Sequence, residues 1–299
     1  MGRRWAGLLR RAPVPLAGLC AAGLCALWLT LLAPGVRAGL DQFGEDLVLR
    51  QVPPPQVTDR GVTIIDIDSA ALNQFGPWPW RRDRVARLID AAAEGGAAVV
   101  AVDILFAGAD SRSPAAMARQ LAEVTGRPEL ATQVPGPDDD QQLAGAMARV
   151  PTVLGFAMSP QPGPAPRSVP VLLPQGAAGL LWSAPGAEVP VADLGLTAAG
   201  LGAPALPVGQ QGSTRQVPLF VAIDGSAVPG HAFEALRLLE RAPMVHLDPA
   251  TGRFTAGNLT GRMDRGGMLR LLPDPTAAGL PPRPAAPPGL ERAPPPNAL

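Results

Sequence analysis

The chain has 299 residues and a formal net charge of zero, and all 25 of its basic residues are arginine. A phosphate-gripping P-loop, a protein-kinase fold and Schiff-base chemistry each need a lysine, so none is present in standard form. The neutral balance leaves no footprint for nucleic acid. Cysteine occurs only at Cys20 and Cys25, and His231 and His246 stand isolated as ordinary surface or half-buried residues, so no disulfide framework, metal site or cofactor is legible.

Residues 14–33 (VPLAGLCAAGLCALWLTLLA) carry no charge. As a helix, about 20 such residues span roughly 30 Å, the thickness of a bilayer's hydrocarbon core. Arg3, Arg4, Arg10 and Arg11 precede them with no acidic residue to offset them. The positive-inside rule then makes residues 1–13 a basic cytoplasmic N-terminus and places the remainder outside. A cleaved signal peptide ending near Val36-Arg37-Ala38 is the competing reading. The apolar run is long for a signal core of about 7–15 residues, so an uncleaved single-pass anchor in the inner membrane, with a periplasmic main domain, is expected.

Beyond the anchor, residues 38–49 read as a short amphipathic helix stopped by Pro53-Pro54-Pro55. Residues 61–68 (GVTIIDID) read as a buried strand, after which Ser69 caps a helix through Gln74. Gly76-Pro-Trp-Pro-Trp is a rigid loop. Asp83 opens a helix to Glu94 with Val85, Leu88, Ile89 and Ala92 on one face, and Gly95-Gly96 ends it. Residues 97–106 (AAVVAVDILF) read as a second buried strand. Ser113 or Pro114 opens the next helix, and Asp138-Asp139-Asp140 begins another through Arg149, where carboxylates complement the dipole and face solvent. Residues 152–158 read as a third strand. This alternation predicts an α/β fold with a largely parallel sheet covered by helices on both faces, preceded by one transmembrane helix. Strands at 169–173 and 214–223, a helix at 232–240 with Leu236 and Leu239 inward, and a strand at 268–272 complete the domain. Residues 273–299 form a Pro-rich tail without apolar period, which reads as disordered.

The run GPWPWRRD, a helix, and then AAVVAVDILFAGAD resembles the CHASE2 domain, an extracellular sensory domain of bacterial cyclases, histidine kinases and related receptors. The segments VTIIDIDSAALNQFG and PDDDQQLAGAMARVPTVLGFAM extend the resemblance. A weaker stretch follows in which Gly212, Arg215 and Pro218-Leu219 match, so that residues 38–272 are covered. Arg81 stands where the family usually has a proline, and Gly108 where an acidic residue often follows the second strand. The family's closing strands and three closing membrane helices have no counterpart here, so the resemblance implies a C-terminally truncated chain without an output domain. It implies an extracytoplasmic sensor with an unidentified ligand, working through a cytoplasmic cyclase or kinase partner, and a homodimer is an arrangement open to it.

Asp66 and Asp68 end the first strand and Asp103 the second. In open parallel sheets ligands bind beyond the carboxyl ends of the strands. With Asp110 these carboxylates could hold a hard cation, but a buried pair between an aspartate and Arg82 is the preferred arrangement. Asp66-x-Asp68 also resembles the aspartate pair of haloacid-dehalogenase-type phosphatases, which normally add a lysine. Trp78 and Trp80, fixed by Pro77 and Pro79, form either a pocket wall or a packing anchor. The ligand-binding candidates are therefore Asp66, Asp68, Trp78, Trp80, Arg82, Asp103 and Asp110. Three functions follow: a non-enzymatic sensory module, an anchored phosphate-ester hydrolase using Asp66 and Asp68, and a structural envelope protein.

Overall fold

A computed structural model describes residues 13–31, 44, 47–48, 61–133, 138–207, 214, 216–264, 266–271 and 283–284. The chain divides into two compact units, residues 1–60 with 272–279, and residues 61–271 with 280–299.

In the first unit, α1 (Pro13–Leu31) is a 19-residue uncharged helix. Its described side chains, at 18–28, are exposed, Leu19, Leu24, Leu27 and Trp28 among them. Among the described residues no helix is long and apolar enough to cross a membrane. The transmembrane helix expected over 14–33 is therefore not found as such: α1 ends at Leu31, and residues 32–33 lie outside the described residues. Of the helix expected over 38–49, only Gly44, Leu47 and Val48 are described, as helical.

The second unit begins with β1 (Ile65–Asp66) and α2 (Ser69–Phe75). The cap of α2 is Asp68 rather than Ser69: its carboxylate accepts the Ala71 amide at 2.8 Å. Next come α3 (Arg82–Glu94), β2 (Val100–Val102), α4 (Pro114–Thr125), α5 (Asp139–Met147) and β3 (Thr152–Gly155). Ser113 caps α4 and Asp138 caps α5, each through its side-chain oxygen. Then follow β4 (Ala157–Ser159), β5 (Val171–Leu172), β6 (Ser183–Ala184), β7 (Gly186–Glu188), α6 (Ala192–Thr197) and β8 (Gly200–Gly202). The last stretch holds β9 (Gln216–Pro218), β10 (Phe220–Ile223), β11 (Ser226–Pro229), α7 (His231–Leu239), β12 (Val245–Asp248), β13 (Arg253–Ala256), β14 (Leu259–Arg262) and β15 (Met268–Arg270). Within the tail only β16 (Arg283–Pro284) is described.

The strands β2, β3 and β8 form a parallel sheet in that order. Val85 and Ile89 of α3, Leu143 and Met147 of α5, and Val102, Leu154 and Leu201 of the strands share one buried cluster. α7 also packs on this sheet. The approach is close because β8 reads Gly200-Leu201-Gly202: a Cβ at Gly200 would collide with the Glu234 carboxylate, and one at Gly202 would lie 2.6 Å from the His231 Cα. The second cluster is aromatic. Phe220, Phe233 and Phe254 pack with ring centroids 4.5–6.1 Å apart beneath the antiparallel strands β12, β13 and β14.

Four expectations are corrected. The sheets are mixed rather than largely parallel, because short turns return the chain antiparallel. Asp224 and Gly225, both at positive φ (47° and 71°), join β10 to β11 in a two-residue hairpin. The strand expected over 61–68 is not buried. Val62, Ile64 and Ile65 are exposed, and β1 pairs with β16, a two-residue partner that covers neither face. The second strand ladders only over Val100–Val102 and leaves Ala101 exposed, since β2 is the edge of its sheet and pairs on one side. Leu236 and Leu239 are exposed rather than inward, because α7 turns Phe233, Glu234 and Arg237 to the interior.

Candidate functional site

The side chains that converge most tightly are two arginines and four aspartates at the N-terminal ends of α3 and α5. These helices pack against each other. Their amide ends attract carboxylates, and consecutive arginines at 81 and 82 supply the counter-charges. Arg81 donates from Nε to Asp139 Oδ2 at 2.9 Å and from Nη2 to Asp139 Oδ1 at 3.3 Å. It also lies 3.4 Å from Asp83 Oδ1, a buried oxygen without a hydrogen-bond partner. Arg82 is buried. Its guanidinium donates to Asp140 and to the Gly108 carbonyl, and stands 5.1 Å above the Phe106 ring. Asp110 closes the arrangement: Oδ2 accepts the Arg82 amide at 2.9 Å, Oδ1 accepts the Arg112 amide at 2.9 Å, and its own amide donates to Asp140 at 3.3 Å.

Asp139 is 1% exposed. Burial pushes its carboxyl above the usual range, and Arg81 draws it back only in part. Arg81 is held above its ordinary value chiefly by its hydrogen bond to Asp139. The position that departs from the family's proline thus carries the counter-charge of a buried carboxylate. Gly108, the other departure, contributes its carbonyl to Arg82.

Trp80 is buried against Phe75 at 5.7 Å and donates from its indole nitrogen to the Gly76 carbonyl at 2.8 Å, which makes it a packing anchor. Trp78 is 44% exposed and tilted against Trp80 at 6.3 Å, in a loop with a cis Trp78–Pro79 bond. Asp66 is exposed on β1, and the carboxylate of Asp68 is engaged by its helix. Asp103 is exposed just past β2, where its charge acts on His231. So Arg82 and Asp110 come together, Trp78 and Trp80 form a corner, and Asp66, Asp68 and Asp103 join neither. Among the described residues no group of three acidic, histidine or cysteine side chains could hold a metal ion.

Asp139 and Asp140, expected as a solvated run, hold the two arginines. The available signal was the match of an Arg-Arg doublet and an Asp-Asp doublet at two helix starts. Elsewhere, a shallow groove of about 530 Å³ beside β5, β12 and β13 is lined by His246, Asp248, Arg253 and neighbours, and by none of the candidates.

A family model described as CHASE2 domain matches residues 21–277. No curated protein and no solved structure matches the chain.

Proposed function

The chain belongs to the CHASE2 domain family, and we propose that it is a membrane-anchored sensory domain held outside the cytoplasm, which binds a small ligand at the Trp78–Arg82 corner and signals to a cytoplasmic cyclase or kinase. The family match over residues 21–277 carries the sensory reading. Anchoring is supported by the uncharged sequence of residues 14–33 and by the exposed leucines Leu19, Leu24 and Leu27 of α1. An orientation with the N-terminus inside is supported by the four arginines before it.

For the ligand, Trp78 offers an exposed aromatic face on a rigid loop. Arg82 and Asp110 lie at the next turn and position that loop's exit into α3. Asp68, occupied by the Ala71 amide, stabilises the helix that follows β1 rather than acting as a nucleophile. The module is an input device rather than a catalyst.

Fractionation tests the anchor. The full chain, produced in bacteria, is expected to sediment with membranes and to stay there through alkaline carbonate washing. Deletion of residues 1–33 is expected to release a folded domain. Full extraction of the intact chain by carbonate would overturn the anchored reading.

A further inference from the structure

We propose that His231 is an acid-sensitive latch: its neutral ring holds α7 on the carboxyl ends of β2, β3 and β8, and protonation loosens that contact.

His231 is the first residue of α7, and its amide donates to the Ala203 carbonyl just past β8, at 2.9 Å. Gly202 lies directly beneath its backbone with no room for a Cβ. These contacts fix the backbone at the start of α7 against the end of β8. Both ring nitrogens are buried and neither makes a hydrogen bond of good geometry, the Gly202 carbonyl being the acceptor beside them. A neutral imidazole tolerates this at modest cost, whereas an imidazolium needs two acceptors or water for its two N–H groups. The N-terminal end of a helix also carries partial positive charge, so α7 itself opposes a cation at its first residue.

The surroundings offer little compensation. β8 and β3 present glycine, leucine, valine and threonine, with no titratable group. From the end of β2, Asp103 draws the ring toward the charged form, as does the Gly202 carbonyl, but burial outweighs both and holds His231 below its ordinary value of 6.5. On α7, Glu234 and Arg237 are paired bidentately at 2.7 Å, and Arg237 also donates to the Ala242 carbonyl. Neither is free to answer a charge on His231.

The sign follows from linkage. The folded chain binds fewer protons at His231 than the unfolded chain does, so the contribution is complete above pH 6.5 and is lost as pH falls below it. A tenfold difference in proton affinity between the folded and unfolded chain corresponds to about 3–5 °C of melting temperature in a domain of this size. The element released is α7, which sits on the same parallel sheet as α3, the helix that opens at Arg82. The latch rests on the sensory reading only for what its release would report.

Two measurements on the full chain test it. Between pH 7.5 and 5.5, the wild-type melting temperature is expected to fall at least about 2 °C further than that of His231→Gln. Equal slopes would overturn the proposal. In the His246→Gln variant, which alters an exposed position, the one remaining imidazole resonance reports His231 directly. It is expected to titrate below a free histidine peptide measured alongside, and titration at or above the peptide would overturn the latch even if His231→Gln did not fold. Loss of membrane association would leave this titration unchanged, so the two readings fail separately.

Discussion

The parallel sheet β2–β3–β8 and the antiparallel strands β12–β14 are stabilised by different means. Around the parallel sheet, helix ends are closed by buried or half-buried ions: Arg81 with Asp139, Arg82 with Asp140, and Glu234 with Arg237. On β12, β13 and β14 no charged side chain is buried, and the strands rest on the Phe220–Phe233–Phe254 cluster. A buried ion pair contributes little net stability when intact and costs much when one partner is removed. An aromatic cluster contributes through area and packing, which do not titrate. The parallel region is thus the part whose buried interior can respond to charge, whereas the antiparallel strands carry their charges on the exposed side.

The charged region depends most on Arg82. Arg82→Ala leaves Asp140 and the Gly108 carbonyl without their donor and removes the cation over Phe106. A loss of about 3–5 kcal/mol in denaturant unfolding is expected. Phe254→Ala should cost nearly as much, about 3–4 kcal/mol, by emptying the aromatic cluster. Its cost should be the same at pH 5 and pH 8. Gly200→Ala forces a methyl against Glu234 and should cost about 1–3 kcal/mol, read by thermal melting. Arg81→Ala is smaller, about 1 kcal/mol at neutral pH, because the arginine side chain is 38% exposed and its charge is screened.

The Arg81 variant also has a defined pH dependence. Asp139 already sits above its ordinary 3.8, and removing Arg81 raises it further. A carboxylate with a raised folded value costs stability above that value, and the cost disappears once it is protonated. The gap between wild type and Arg81→Ala should therefore narrow as pH falls from 7 toward 4. A constant gap would mean that Arg81 acts by packing alone. Trp78→Ala, on an exposed side chain, should change stability by less than about 0.5 kcal/mol.

The same contrast explains what was legible in the sequence. The parallel strands have apolar cores, Val-Ala-Val at 100–102 and Thr-Val-Leu-Gly at 152–155, and the capping residues Ser113 and Asp138 mark the helices after and between them. The half-solvated strands do not: Val-His-Leu-Asp, Arg-Phe-Thr-Ala and Leu-Thr-Gly-Arg alternate over only four residues, too short for a period to stand out. Asp224-Gly225 is a strong hairpin signal that apolar runs alone do not reveal. At the site, Arg82 and its pairing with an aspartate were readable from residue type. Asp110 stands among the aspartates expected beside Arg82, but Asp140, which pairs with the guanidinium, does not, because it reaches Arg82 through the packing of α5 on α3 rather than from a strand end.

Placement of the domain outside the cytoplasm is the claim on which a sensory role depends, and the chain's cysteine content allows a direct measurement. Its two cysteines, Cys20 and Cys25, both lie in α1. With these replaced by alanine, Thr255→Cys places a single thiol on an exposed position of β13. Intact cells are then treated with a membrane-impermeant maleimide. Labelling without lysis, equal to that seen after lysis, is expected. Labelling that requires lysis would contradict placement outside the cytoplasm.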